Sequence, residues 1–179
     1  MSAVDLVAIS SGVTVERTRG GSTTTLASST GFNAVPQDTL RFYMPIQNRG
    51  LLPSPATTMN VESPDGSLQT AQVPSLPSLG QAIVEVNWTV PNAYPIGQIS
   101  LSFQVDPNES ITDDGDRSNN NGVFSLWIGR LPVATLDMPA QSLTKSAVIL
   151  DASSSYDPDG GEFIGCNFFV ENEDGIVEI

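Results

Sequence analysis

Along GQAIVEVNWTVP, residues 80 to 91, the apolar side chains Ala82, Val84, Val86, Trp88 and Val90 fall on every second position, with Glu85, Asn87 and Thr89 between them. QISLSFQVDP repeats the arrangement from Gln98, with Ile99, Leu101, Phe103 and Val105 alternating with Gln98, Ser100, Ser102 and Gln104. Successive side chains of an extended strand point to opposite faces, so a period of two builds strands with one buried and one wet face. TLRFYMPIQN does the same, setting Leu40, Phe42, Met44 and Ile46 against Arg41, Tyr43 and Gln47. No stretch of about 10 to 15 residues carries helical periodicity. The 13 prolines and 15 glycines are scattered through all 179 residues. The chain is therefore expected to be all-β, with many turns.

Further strands are expected at Val4 to Ile9, Val13 to Arg17, Thr23 to Ser28, Thr57 to Glu62, Gln69 to Val73 and through GVFSLWIG. PNAYPIG, with two prolines and a glycine, predicts a hairpin-like connection between the strands of GQAIVEVNWTVP and QISLSFQVDP. SPDGS after Glu62 carries turn chemistry in Pro64, Asp65 and Gly66. RLPVATLDMPA starts afresh after a strand, which places a domain boundary near Arg130: residues 1–130 form one unit and residues 131–179 a second. Beyond it a strand is expected from Ala147 to Asp151, then a turn at SYDPDGG. FIGCNFFVE follows as a strand with Ile164, Cys166, Phe168 and Val170 on one face, which makes Cys166 a core residue. A unit of this size has a marginal β core.

Charge narrows the partners. Seven basic residues stand against 20 acidic ones, a net charge of -13, which excludes nucleic acid because phosphate must be neutralised by cations. Lys145 is the one lysine among the seven, and charged residues make up 15% of the chain, below the roughly 25% of average soluble domains. Uncharged polar surface of this kind suits an exterior protein. No segment approaches the roughly 18 apolar residues of a membrane span, so direct membrane insertion is not expected. The N-terminal MSAVDLVAIS has no signal-peptide pattern. An exterior location is then expected to be reached by an excised or processed piece of a longer chain, or through virion assembly and lysis. A single cysteine, Cys166, precludes an intramolecular disulfide.

Several motifs in order resemble the CARDB domain, an immunoglobulin-like β-sandwich named from cell-adhesion-related proteins of bacteria and archaea. They are IQNRG after the first core strand, VPSLPSLGQ, VEVNWTVP, PIGQISLSFQVDPN and the acidic run that closes in NNN at Asn121. The family's closing run usually has glutamates, where Asp114, Gly115 and Asp116 stand here. LDASSSYDPDGG, residues 150 to 161, resembles the first half of a PKD domain, another β-sandwich, and NFFVENEDG stands where that family has a WDFGDG-like turn. These resemblances imply a complete CARDB-like sandwich followed by a second, incomplete PKD-like one whose missing strands a partner would supply.

Catalysis has little to work with. The chain has no histidine, so a Ser-His-Asp triad, a Cys-His pair and a His-ligated zinc site are all excluded. GGSTTT from Gly20 is glycine-rich but lacks the lysine of a phosphate loop. We expect no enzymatic activity. Calcium, which takes carboxylate and carbonyl oxygens, is the ion the chain would suit, and two places offer them. One is VDPNESITDDGDRSNNN, with Asp106, Asn108, Asp113, Asp114 and Asp116; the other is YDPDGG, with Asp157 and Asp159 and with Asp151 nearby. The resemblance to PKD domains, some of which bind calcium through such aspartates, favours the second. Against both stands the ordinary use of Asp-Pro and Asp-Gly steps to cap turns through their own side chains, and the acids of the closing run are expected to face water. Trp88 keeps phase with the core positions of its strand, whereas Trp127, in phase with Val123 and Ser125, is open between core and sugar-stacking surface. Asn87 and Asn108 match the glycosylation acceptor pattern.

Together these features predict a non-catalytic structural or adhesion module, a spacer and contact unit of immunoglobulin-like sandwiches on the cell surface or otherwise extracellular. Its partners would be proteins or copies of itself, with polysaccharide as a further candidate. The alternatives are a virion exterior protein (turret, decoration or fibre subunit) on a virion surface, and an accessory polysaccharide-binding module of a secreted hydrolase.

Overall fold

In a computed structural model, which describes residues 3–28, 31–63, 65–141, 143, 146–162, 165–172 and 175–178, the chain divides into two units, residues 1–129 and 130–179. Among the described residues the first is a two-sheet sandwich of ten strands. They are β1 (Leu6–Ala8), β2 (Thr14–Arg19), β3 (Ser22–Leu26), β4 (Phe32–Ala34), β5 (Thr39–Asn48), β6 (Thr57–Glu62), β7 (Leu68–Val73), β8 (Gln81–Thr89), β9 (Gly97–Val105) and β10 (Asn121–Ile128). Among the described residues there is no α-helix, only short 3-10 turns such as Ser10–Gly12 and Arg117–Asn120.

The first sheet is organised on β5. β8 pairs antiparallel along one edge, from Thr39↔Thr89 to Gln47↔Gln81. The other edge is shared by β2, which pairs from Thr14↔Tyr43 to Thr18↔Thr39, and β1, which pairs from Leu6↔Asn48 to Ala8↔Ile46. The gap between β1 and β2 falls opposite Pro45. A proline inside a central strand removes a ladder donor. Here the Pro45 carbonyl accepts from Ile9 N at 3.0 Å, so its donor-less nitrogen faces the same gap, where the 3-10 turn at Ser10–Gly12 demands nothing of it. GGSTTT lies in the β2–β3 hairpin, with Gly20 and Gly21 both at positive φ (53° and 82°), which side-chain-free residues adopt at little cost.

The second sheet has the order β4-β10-β9-β6-β7. β4, too short to show a period in the sequence, pairs parallel with the end of β10 through Leu126↔Phe32 and Ile128↔Ala34. The connection PNAYPIG is not a hairpin. β8 belongs to the first sheet and β9 to the second, so residues 90–96 arch across the sandwich. Each of the two strands is flanked by other partners of matching length, β5 for β8 and β10 for β9. The prolines at 91 and 95 carry no N–H to extend a ladder through the turn. Tyr94 in the arch packs edge-on to Trp88, ring centroids 5.4 Å apart.

Alternation places one face of each long strand in the core, as the sequence predicts. Leu40, Phe42, Met44, Ile46, Val84, Val86 and Trp88 meet Met59, Val61, Leu101, Phe103, Val105, Leu126 and Ile128, all buried. Phe124 is the centre of an aromatic cluster, 5.9 Å from Phe32, 5.4 Å from Phe42 and 6.2 Å from Phe103 by ring centroids. Gly122, on the same inward face of β10, leaves the space that the Phe103 ring occupies. Trp127 is half exposed on the outward face with Val123.

The second unit departs further from expectation. Residues 146–150 form no strand, and Asp151 makes only an isolated bridge to Asp137. Val133 and Tyr156 form another such bridge. Alternation supplies an apolar face but not a hydrogen-bonding neighbour, and without one Val148 and Ile149 stay exposed. In FIGCNFFVE the strand is confined to β11 (Phe169–Asn172), paired with β12 (Gly175–Glu178); residues 165–168 are irregular and Cys166 is exposed rather than core. Ile164 and Pro64 lie outside the described residues. No helix among the described residues is long and apolar enough to cross a membrane.

Gly122→Val should destabilise the first unit by about 2 to 3 kcal/mol, because any Cβ there drives the Phe103 ring out of its slot. Urea unfolding followed by Trp88 fluorescence would measure it; a loss below about 0.5 kcal/mol would show that the aromatic cluster is loosely packed.

Candidate functional site

The closing loop, residues 106–120, joins the neighbouring strands β9 and β10 and carries the densest set of candidate ligands. β9 ends at Val105, and Asp106 turns the chain out of the sheet at φ 49°, a left-handed conformation that Asp tolerates better than most residues. Its side chain folds inward and is 2% exposed. Oδ1 accepts from Thr57 Oγ1 at 2.7 Å, from Ser110 N at 3.1 Å and from the Ser110 hydroxyl, while Oδ2 accepts from Ile111 N at 3.0 Å. Arg117 Nη1 stands 3.6 Å from Oδ2, and its Nη2 donates to Ile111 O at 2.6 Å. Burial pushes the Asp106 carboxyl up, but the hydroxyls of Ser110 and Thr57 and the amides of Ser110 and Ile111 together hold it below the usual carboxylate range.

Asp114 is also buried. Its Oδ2 accepts from Asn120 Nδ2 at 2.9 Å and its Oδ1 from Asp116 N at 3.4 Å. Asp116 caps the turn Arg117–Asn120 by accepting from Ser118 N at 3.1 Å. Asn119 Nδ2 donates to Asp5 Oδ1 at 2.9 Å and Gly115 N to Val4 O at 2.9 Å, which ties the loop to the N-terminal strand. Asn108 and Asp113 are exposed at the rim. The expectation that the acids face water therefore holds for Asp113 and Asp116 but fails for Asp106 and Asp114. The loop has too few free N–H partners of its own, and buried carboxylates satisfy its backbone.

A residue whose chemistry the sequence left unread sits beside this loop. Asn48, the Asn of IQNRG, is fully buried at the end of β5. Its Nδ2 reaches Leu52 O at 2.8 Å, Pro77 O at 3.2 Å and Leu76 O at 3.4 Å, and its Oδ1 accepts from Gly50 N at 2.9 Å and Asp5 N at 3.3 Å. Gly50 admits no side chain, since a Cβ would lie 2.5 Å from Val4 Cα and Ala3 O. Asp38, likewise unread, is 1% exposed and takes a two-pronged contact from Arg19, Nε to Oδ1 at 2.8 Å and Nη2 to Oδ2 at 2.7 Å. A signal existed in both cases: a polar residue at the end of an alternating run, directly flanking a turn.

In the second unit the aspartates of LDASSSYDPDGG hold turns and a cation. Asp151 Oδ1 accepts from Ser153 N at 2.8 Å and Asp157 Oδ1 from Asp159 N at 2.8 Å. Asp159 takes Arg130 Nε at 2.8 Å on Oδ1 and the Arg130 amide on Oδ2, and Arg130 Nη2 reaches Pro158 O at 2.5 Å. These donors of Arg130 hold the Asp159 carboxyl below its ordinary range. Among the described residues no three Asp, Glu, His or Cys side chains converge so as to hold a metal ion. What the loop and turn do chemically is to satisfy backbone amides and one arginine each.

Residues 8–124 match the CARDB family. A comparison with curated proteins found no match. Among solved structures, the CARDB domain of a Pyrococcus furiosus protein, crystallised in complex with di-metal ions, is 18% identical, with a TM-score of 0.51 over 72% of this chain and 96% of that one. The solution structure of the same domain gives 17% identity, a TM-score of 0.48 and coverage of 72% and 97%. A domain of a Methanosarcina acetivorans protein is 20% identical, with a TM-score of 0.48 over 70% of this chain and 91% of that one. The first of these likenesses matches the immunoglobulin-like sandwich described above.

Asp106→Asn should cost about 2 to 4 kcal/mol at neutral pH, since it weakens acceptors for buried donors and leaves Arg117 without its counter-charge. The folded carboxyl titrates below its unfolded value of about 3.9, so its contribution is complete above that pH and is lost as pH falls through the folded value. Thermal melts between about pH 7 and 2 should show the wild type losing this increment below about pH 4, with the variant's acid limb flatter. Parallel limbs would mean that another carboxylate dominates.

Proposed function

The chain belongs to the CARDB family, and on that premise we propose that it is a non-catalytic module displayed on an exterior cell surface, a spacer and protein-contact unit. The observation that carries this reading is the second unit. Leu131, Leu136, Met138, Ile149 and Phe169 are exposed there, and a cavity of about 660 Å3 opens among apolar side chains including Leu136, Met138, Leu150 and Phe168. Exposed apolar surface of this extent marks a contact face. We read residues 131–179 as a PKD-like sandwich whose open side takes strands from a protein neighbour, by the same edge pairing that completes sheets elsewhere. The first unit supports the contrasting role. Its buried carboxylates and amides are engaged in holding loops.

Calcium enters this reading at Asp157 and Asp159, where it would have to take Asp159 from Arg130. The CARDB domain of a Pyrococcus furiosus protein was crystallised with di-metal ions, which bears on the first unit alone, so the test takes in the closing loop as well. Millimolar calcium is expected to raise the melting temperature, and Asp157→Ala combined with Asp159→Ala to remove the rise. An unchanged melting temperature on adding or chelating calcium would remove the ion from both the turn and the closing loop.

The location is tested on cells that produce the chain. Brief protease treatment of intact cells should release its peptides into the medium, identified by mass spectrometry, while cytoplasmic markers stay inside. Recovery instead in a fixed ratio with capsid proteins of a particle would overturn the cell-surface reading in favour of a virion one.

A further inference from the structure

The two outer faces of the first unit differ in chemistry. The outward positions of the first sheet carry Glu16, Arg41 and Glu85, with Tyr43 donating to Glu16 at 2.7 Å. On the second sheet the outward register sets Trp127 beside Asn33 and Gln98, Ser125 beside Ser100, Val123 beside Ser102 and Glu62, and Asn121 beside Gln104 and Asn60. Glu62 is the one charged side chain at the outward positions of these strands. Arg17, from the first sheet, donates to Asn33 at the Trp127 end, so the face carries one charge of each sign and is neither an anion site nor a cation site.

Its donors and acceptors are amides and hydroxyls, each able to give and to take a hydrogen bond. They end at one side in an exposed indole, Trp127 being 50% exposed while Trp88 is buried at 6%. At the other side the face dips into a depression of about 150 Å3 lined by Asn60, Glu62, Ser102, Gln104 and Asn121, where Ser102 Oγ donates to Glu62 Oε2 at 3.3 Å. From Trp127 to Asn121 is six residues of β10, a run of about 20 Å. A neutral polymer whose flat faces are C–H and whose edges are hydroxyls complements each part: the ring faces stack on an indole and the edges bond amides and a carboxylate. A protein partner would instead need a contiguous apolar centre, and here Trp127, Val123 and Leu68 are separated by Ser, Gln and Glu.

We propose that the outer face of the second sheet binds a neutral polysaccharide chain, with Trp127 stacking on a sugar ring and Gln98, Ser100, Ser102, Gln104 and Asn60 bonding hydroxyls toward the depression at Glu62. This rests on the exterior location proposed above and names the ligand class that the first unit would contact there.

The full chain is run through native gels containing hydroxyethyl cellulose, laminarin, soluble xylan or mannan, with alginate as an anionic polymer. At least one neutral polymer should retard it, alginate should not, and 0.5 M sodium chloride should leave the retardation unchanged, about as expected where no ion pairs contribute. Trp127→Ala should weaken binding at least tenfold with an unaltered melting temperature, and Gln104→Ala by a few fold. Because Trp88 is buried, acrylamide quenching reports on Trp127, and bound polymer should protect it. No retardation by any of the four neutral polymers, or equal retardation of wild type and Trp127→Ala, overturns the proposal. So does a wild-type dimer in light scattering that Trp127→Ala converts to monomer, since the face would then belong to a second copy. Absence of the chain from the protease-accessible surface, with glycan binding intact, would instead overturn the location alone.

Discussion

A single buried amide joins three segments that are distant in the chain. The Asn48 side chain fastens the start of β1 through Asp5, the turn at Gly50 to Leu52, and the VPSLPSLG segment through Leu76 and Pro77. Of the backbone groups it meets, the Gly50 N–H is buried, and leaving such a donor without its acceptor costs about 1 to 3 kcal/mol. Gly50 lets the N-terminal strand approach closely enough to be caught. The closing loop then uses that strand as its own anchor, through Val4 and Asp5. The sandwich ends are thus ordered by polar side chains working inward, while the middle is ordered by apolar packing.

Legibility followed the same division. Where a strand has one wet and one dry face, as in β5, β8 and β9, alternation in the sequence placed Leu40, Val86 and Phe103 in the core, and the structure puts them there. Pairing was less visible, because period-two patterns say which face is buried but not which neighbour is bonded; β8 and β9 are adjacent in sequence and lie in different sheets. β4 was too short to show a period. In the second unit the patterns around Val148 and Cys166 promised strands that no neighbouring backbone supports.

The candidate site was legible in composition and not in role. VDPNESITDDGDRSNNN was conspicuous for its oxygens, yet Asp106, Asp114 and Asn120 are buried, Asp116 caps a turn from the surface, and Asn108 and Asp113 face solvent. A run of Asp and Asn describes equally a cation cage and a loop short of donors and acceptors. The distinction lies in whether the oxygens converge on a common point or disperse toward separate amides, which depends on backbone dihedrals such as the positive φ of Asp106. Trp127 was ambiguous for a similar reason, since alternation fixes its face only once the inward set of β10 is known to be Gly122, Phe124, Leu126 and Ile128.

The placement of the first unit's two ends has a mechanical consequence. The chain enters at Val4, bonded to Asp113 and Gly115 beside the start of β10, and leaves past Ile128 at that strand's far end, where Gly129 N bonds Ala34 O at 2.8 Å. Tension applied between those points runs along the strands rather than across them. The ladders of β1 with β5 and of β10 with β4 and β9 would then be loaded in shear, their hydrogen bonds resisting together instead of opening one after another.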